Sequence, residues 1–163
     1  MNNKAESLKE KLRQALSSTA RVISDDFGIK PQKITKNSEK QNLIELENLN
    51  SKKDFIKARA ETDSMALKKK FSSDTIFKKN LPSSSSCKSL YTITEKIRYE
   101  KLGSKMLKGI DKNLKDNYIQ MISHKRKDKI SSKDDVPVVE AFELYMLKNF
   151  HNIKLNSITT KML

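Results

Sequence analysis

At 163 residues the chain is long enough for one domain with a single modest core, and 36% apolar against 33% charged residues places it between an ordinary globular domain and a partly disordered one. A formal charge of +14 points first to a polyanion, yet only five of the 34 basic residues are Arg (Arg13, Arg21, Arg59, Arg98, Arg126), so a solvated Lys-rich surface is favoured over nucleic-acid recognition. The single Cys87 excludes an intrachain disulfide, no apolar run reaches the about 18 residues of a membrane span, and the polar start with Glu6 and Glu10 is unlike a secretory signal, so a soluble, cytoplasmic protein is expected.

Scarce Gly and Pro with abundant Lys, Leu and Glu favour helix. The expected fold is mostly α, with about five amphipathic helices in one small helical domain and loop or disordered segments between them. Residues 1–29 form an amino-terminal helix, with Leu8, Leu12, Ala15, Leu16, Thr19 and Ile23 on one face and Ser7 and Glu10 as a capping pair; Gly28 and Pro31 end it. Residues 30–51 read as a polar linker, in which 41–49 is a short edge strand or a helical turn.

The region 52–151 carries the remaining helices. One runs from Lys52 or Lys53 to about Phe71, with Ile56, Ala60, Leu67 and Phe71 on one side and Asp63 beside them. Lys79 to Ser89, with Pro82 and four consecutive serines, reads as a loop. A helix from about Ser89 to Gly103 directs Leu90, Ile93, Ile97 and Leu102 inward. The next, Lys105 to about Ser123, has the clearest stripe: Leu107, Ile110, Leu114, Tyr118, Met121 and Ile122. A basic connector spans His124 to Lys133. The last helix opens at Pro137 after Asp134 and Asp135, with Val138, Ala141, Phe142, Tyr145 and Phe150 as its apolar face. Residues 152–163 read as a tail.

Chemistry-bearing motifs are sparse. His124 and His151 are 27 residues apart, no CxxC, HxxxH or HExxH occurs, and both histidines are expected at the surface. With Gly only at 28, 103 and 109, neither a GxxxxGK[ST] loop nor a GxGxxG fingerprint can be written. The cation motif DxSxS fails as well, because Asp63-Ser64 continues as Met65-Ala66. Glu61 and Asp63 point about 200° apart on a helix and cannot share a proton, whereas Arg59 and Asp63 are spaced for an intrahelical ion pair.

Three ordered segments carry a resemblance. Arg59-Ala60-Glu61-Thr62-Asp63-Ser64-Met65-Ala66-Leu67 continues to Asp74 and is similar to a pattern R-G-E-A-D-x-x-A-L-R-x-R-x-H-D. Ile97-Arg98-Tyr99-Glu100-Lys101-Leu102-Gly103, with Met106, Gly109-Ile110 and Asn113-Leu114, is similar to A-R-x-E-A-L-G-x-x-x-M-x-G-V-x-x-N-L. Val136-Pro137-Val138-Val139-Glu140-Ala141-Phe142 is similar to V-P-x-x-E-A-F, and Leu16 to Ile23 more loosely to an opening helix. In this order they resemble the amino-terminal region of the CobT family, a subunit of aerobic, ATP-dependent cobaltochelatase. Ala60 stands where the family has Gly, and Ser73 where it has His.

The resemblance implies a non-catalytic subunit that assists ATP-dependent insertion of cobalt into hydrogenobyrinic acid a,c-diamide. It implies a hetero-oligomer with a CobS-like AAA+ ATPase and a CobN-like large chelatase subunit, in which ATP, Mg and Co are used by the complex and no cofactor is bound by this chain. Family members continue into an acidic linker and a von Willebrand A-type domain, so the chain is expected to stop before these. Arg59, Glu61, Asp63, Arg98, Glu100 and Gly103 are the protein-interaction candidates, while Leu67, Leu102 and Met106 are expected in the core. The alternatives are a small basic helical nucleic-acid-binding protein and a non-functional remnant of the family.

Overall fold

The computed structural model describes residues 2–26, 51–123 and 136–163. Within them lie seven helices and no strand: α1 (Asn2–Ser24), α2 (Lys52–Phe71), α3 (Asp74–Lys79), α4 (Ser85–Met106), α5 (Lys108–Ser123), α6 (Val138–Phe150) and α7 (Ser157–Lys161). The mostly α expectation holds. Segment 41–49, the Gly28 and Pro31 stop, the basic connector with His124, and Asp134 and Asp135 lie outside the described residues.

α2 is the central element, packed against α1, α4 and α5, and α4 in turn touches α5 and α6. Its sequence explains the position. Ala58, Ala60, Thr62, Asp63, Ser64, Ala66 and Leu67 are buried, a set that runs round the helix rather than along one stripe. Small side chains let three helices approach it closely, and a helix covered on most sides shows little amphipathic pattern. Its start is fixed by a capping box, in which Ser51 accepts from the Asp54 backbone N–H and Asp54 Oδ2 accepts from the Ser51 N–H at 2.9 Å.

The main core gathers Leu67, Ile97, Ile110, Leu114, Tyr118 and Leu144 from four helices, with Ile23 of α1 at its edge. Each such aliphatic side chain taken from water contributes about 1.5–3 kcal/mol. Leu16 and Ala58 form a smaller cluster under Leu12 where α1 lies on α2. Leu8 stays 60% exposed, so the α1 stripe is buried only over its carboxy-terminal half.

Several expected boundaries and faces move. The serine run is not all loop: Ser84 takes the N-cap position of α4 without a side-chain capping bond, and Ser85 begins the helix. Leu102 and Met106 are exposed rather than core, as are Leu107 and Met121 of the α5 stripe. On α6 the buried residues are Leu144, Met146 and Leu147, whereas Val138, Tyr145 and Phe150 face out. Apolar residues surround that helix, so periodicity could not choose the face; the contact with α4 does.

The end of α6 closes in a Schellman-type turn. Asn152 takes a left-handed φ of 54°, and the Ile153 and His151 N–H groups both donate to the Leu147 carbonyl, at 3.3 and 3.1 Å. The turn sends the chain back across the bundle, where Ile153, Thr159 and Met162 are buried. It also holds His151 inside, fully covered, contrary to its expected surface position.

Candidate functional site

The motif residues meet where α4 crosses α2. Gly103 is buried there, and a Cβ built on it would lie 2.2 Å from Leu67 Cδ2 and 2.9 Å from Leu67 Cγ. Leu67 is itself only 1% exposed, so it would have to shift within the core to admit a methyl. The glycine is therefore required by close helix approach.

One turn before Gly103, Glu100 enters the same interface and is 1% exposed. Its Oε1 accepts from Ser64 Oγ of α2 at 2.6 Å, and its Oε2 accepts from the Tyr118 hydroxyl of α5 at 2.5 Å. His151, at the end of α6, places Nε2 3.6 Å from Oε2. One carboxyl thus gathers groups from three other parts of the chain. Burial pushes the Glu100 carboxyl above its ordinary value, against the opposing charge of Lys96 and the bonds from Ser64 and Tyr118. Burial also lowers His151 to about 4, and nearby Lys101 acts in the same direction. The Tyr118 phenol is held far above its usual range by burial and then by the Glu100 charge, and Tyr99 is pushed up to about 12 by burial. Neither ring nitrogen of His151 has a hydrogen-bond partner, and its ring stands 5.5 Å from that of Tyr118.

Asp63 forms a second buried polar contact. Its Oδ2 accepts from Asn113 Nδ2 of α5 at 2.7 Å, while Oδ1 has no partner. Burial raises its carboxyl, opposed by the Asn113 bond and then by the charge of Arg59. The expected Arg59–Asp63 ion pair is not made; Arg59 acts through its field, and Asn113 takes the bonding place. Arg59 is half-buried at the edge of a cleft between α2 and α5.

Glu61 and Arg98 face outward. Glu61 lies 3.8 Å from Lys57 one turn earlier on α2. Arg98 clasps Glu95 through Nε and Nη2, each at 2.7 Å, and Nη2 also donates to the Phe71 carbonyl at the end of α2 at 2.5 Å. Of the six interaction candidates, then, Asp63, Glu100 and Gly103 are enclosed, Arg59 is half-buried, and Glu61 and Arg98 are accessible. Sequence reasoning missed the partners Ser64, Asn113, Tyr118 and His151. Tyr118 already lay on the α5 stripe, and Asn152, a residue that tolerates a left-handed cap, was the available signal that the chain turns at His151.

Enclosure bears on chemistry. The Glu100, Tyr118 and His151 groups have no opening to a substrate and serve to join helices. Among the described residues no three His, Cys, Asp or Glu side chains gather as for a metal ion. No helix of the described residues is long and apolar enough to cross a membrane.

Comparison with curated proteins yields no match, and neither does comparison with solved structures. The profile of the family described as "Cobalamin biosynthesis protein CobT" matches residues 6–158. That span runs from α1 into α7 and includes every residue of the buried crossing. The chain therefore belongs to the CobT family, and with it to cobalamin biosynthesis.

Proposed function

We propose that the chain works as a non-catalytic subunit of an ATP-dependent cobaltochelatase, assisting insertion of cobalt into hydrogenobyrinic acid a,c-diamide. The reading rests on the family match over residues 6–158, and the enclosed motif groups support a scaffold in place of a reaction centre. Cobalt is the substrate metal. Its insertion requires loss of metal-bound water and deprotonation of a rigid tetrapyrrole, and an ATPase partner supplies the remodelling work. The partners are a CobS-like AAA+ ATPase and a CobN-like large subunit, which hold the ATP, Mg and tetrapyrrole sites. This chain supplies docking surface.

The experiment is reconstitution. The chain is mixed with the ATPase and large subunits, ATP, Mg and Co²⁺, and the formation of the cobalt corrinoid is followed by its absorbance; co-purification with the ATPase is measured in parallel. Cobalt insertion that needs the chain, with a stable association, is the expected result. Equal insertion in its absence, with no association, overturns the reading. Glu61→Lys is a sound interface variant, since the Glu61 side chain is 51% exposed. Replacement of Glu100 is not, because it opens the core.

A further inference from the structure

Residues 152–163 fold back on the bundle from a hinge at Asn152, whose left-handed φ of 54° reverses the chain. Ile153 and Met162 enter the main core, and Leu155 and Leu163 pack against it. The Ile153 amide donates to the Leu147 carbonyl of α6 at 3.3 Å. The Thr160 and Leu163 amides donate to the Asn156 and Thr160 carbonyls, at 2.9 and 3.4 Å, inside the segment itself. These bonds shape a strap, and its apolar side chains lay it into the core.

His151 stands beside the hinge, at the C-cap of α6, and is fully covered. Neither of its ring nitrogens has a hydrogen-bond partner among the described residues, so the closed strap keeps inside a ring that water would satisfy. Lys96, Glu100 and Lys101 face it from α4, and Asp111, Lys115 and Tyr118 from α5; Glu143 of its own helix acts on Glu100 and Tyr118. Burial, and then the Lys101 charge, lower the imidazole to about 4 from its ordinary 6.5. Outside, the ring regains its ordinary value, and the partial negative charge at the end of α6 favours an imidazolium there. Glu100 is held differently. Its bonds come from Ser64 of α2 and Tyr118 of α5, neither of which belongs to the strap. Opening the strap therefore frees the imidazole alone, whereas unfolding the whole chain frees both groups.

We propose that residues 151–163 form an acid-released strap: a proton taken from solvent by His151 opens the hinge at Asn152 and lifts Ile153 and Met162 from the core, while α2, α4 and α5 stay packed. The open form binds more protons than the closed one between pH 6.5 and 4, so opening increases as pH falls through that window. From pH 7 to pH 5 the open population should rise about tenfold or more. Global unfolding differs, because the proton gained by His151 is offset by the one that Glu100 releases. The device is independent of the docking role proposed above.

Amide hydrogen exchange of the full chain, followed by NMR between pH 4.5 and 7 and corrected for intrinsic exchange rates, reads the two openings separately. Protection of the Ile153 and Thr160 amides should fall about tenfold or more from pH 7 to pH 5, while that of the Leu67 and Tyr118 amides stays nearly level. Low urea should reduce protection at Leu67 and Tyr118 steeply and at Ile153 and Thr160 only slightly, because strap opening exposes little surface. His151→Gln should abolish the pH slope at Ile153 and Thr160. Strap amides that show no slope, or that follow Leu67 and Tyr118 at every pH and urea concentration, overturn the proposal. So does a slope that persists in His151→Gln, since it assigns the opening to another group. The contrast between the two sets of amides is made within the unmodified chain, so it decides the matter even where the variant does not fold.

Discussion

His151 Nε2 stands 3.6 Å from Glu100 Oε2, and both side chains are sealed from solvent. Between the ordinary values of 4.5 and 6.5 an unfolded chain holds this pair as carboxylate and imidazolium, with one proton between them. In the folded chain burial raises the carboxyl and lowers the imidazole to about 4. Below the raised Glu100 value the single proton sits on the carboxyl instead. Folding then changes the pair's proton count little, and the two pH dependences oppose each other.

Separating the two groups should expose the opposition. Glu100→Gln leaves His151 alone: the unfolded chain gains a proton below 6.5 and the folded chain does not until about 4, so stability should fall with falling pH across that window, by up to about 3 kcal/mol. His151→Gln leaves Glu100: the folded chain keeps a proton that the unfolded chain releases above 4.5, so stability should fall as pH rises. Lys96, Lys101, Lys115, Asp111 and Glu143 surround the pair and are common to all three proteins. Urea midpoints between pH 4 and 7 decide it; parallel curves for the two variants would contradict the assignment.

Gly103→Ala should destabilise the chain by about 1–3 kcal/mol, because the new methyl must displace the enclosed Leu67 side chain. Leu67→Ala alone should cost about 2–5 kcal/mol through its cavity. The methyl of the first variant partly fills the cavity of the second, so the double variant should be more stable than the sum of the single costs predicts. Thermal unfolding of the four proteins gives the coupling, and strict additivity would mean that the two helices do not meet at this pair.

Asp63 is an enclosed carboxyl with one oxygen satisfied by Asn113 and one unpartnered. Asp63→Asn can still accept from Asn113 and removes the desolvated charge, so it should be neutral or stabilising near pH 7. Asp63→Ala removes the acceptor and strands the Asn113 amide, which should cost about 1–3 kcal/mol. Denaturant unfolding ranks the two, and a larger loss for Asn than for Ala would show that the charge itself is used.

How far these relationships could be read in advance depends on what sets them. The α5 stripe was legible at Ile110, Leu114, Tyr118 and Ile122 because one face of that helix is covered and the other is not. α6 was not, since large aliphatic and aromatic side chains stand on several of its faces and only the position of α4 sets the buried Leu144 apart from the exposed Tyr145. Glu100 and Gly103 were picked out by motif, yet their burial was invisible, because what satisfies Glu100 comes from Ser64, Tyr118 and His151, distant in the chain. Arg59 and Asp63 show the converse. Their spacing allowed a local ion pair, and Asn113, fifty residues on, took the place instead.

Arg98 and Glu61 offer the sharpest contrast between a fold role and an accessible one. Arg98 holds Glu95 by two bonds and caps the Phe71 carbonyl, and those bonds, with that from Ser72 and then the Arg98 charge, keep the Glu95 carboxyl below the usual range. A lysine keeps the charge but not the planar fork, so Arg98→Lys should lose about 0.5–1 kcal/mol, the modest value expected for an exposed pair with one good backbone bond. Glu61 has only a long contact to Lys57, and Glu61→Lys should leave the denaturation midpoint within about 0.5 kcal/mol of the unmodified chain. Protection of the amides in the α2–α3 turn, read by hydrogen exchange, should drop in the first variant and not in the second. A stability loss at Glu61 equal to that at Arg98 would assign Glu61 to the fold as well and remove it as a clean probe of partner contact.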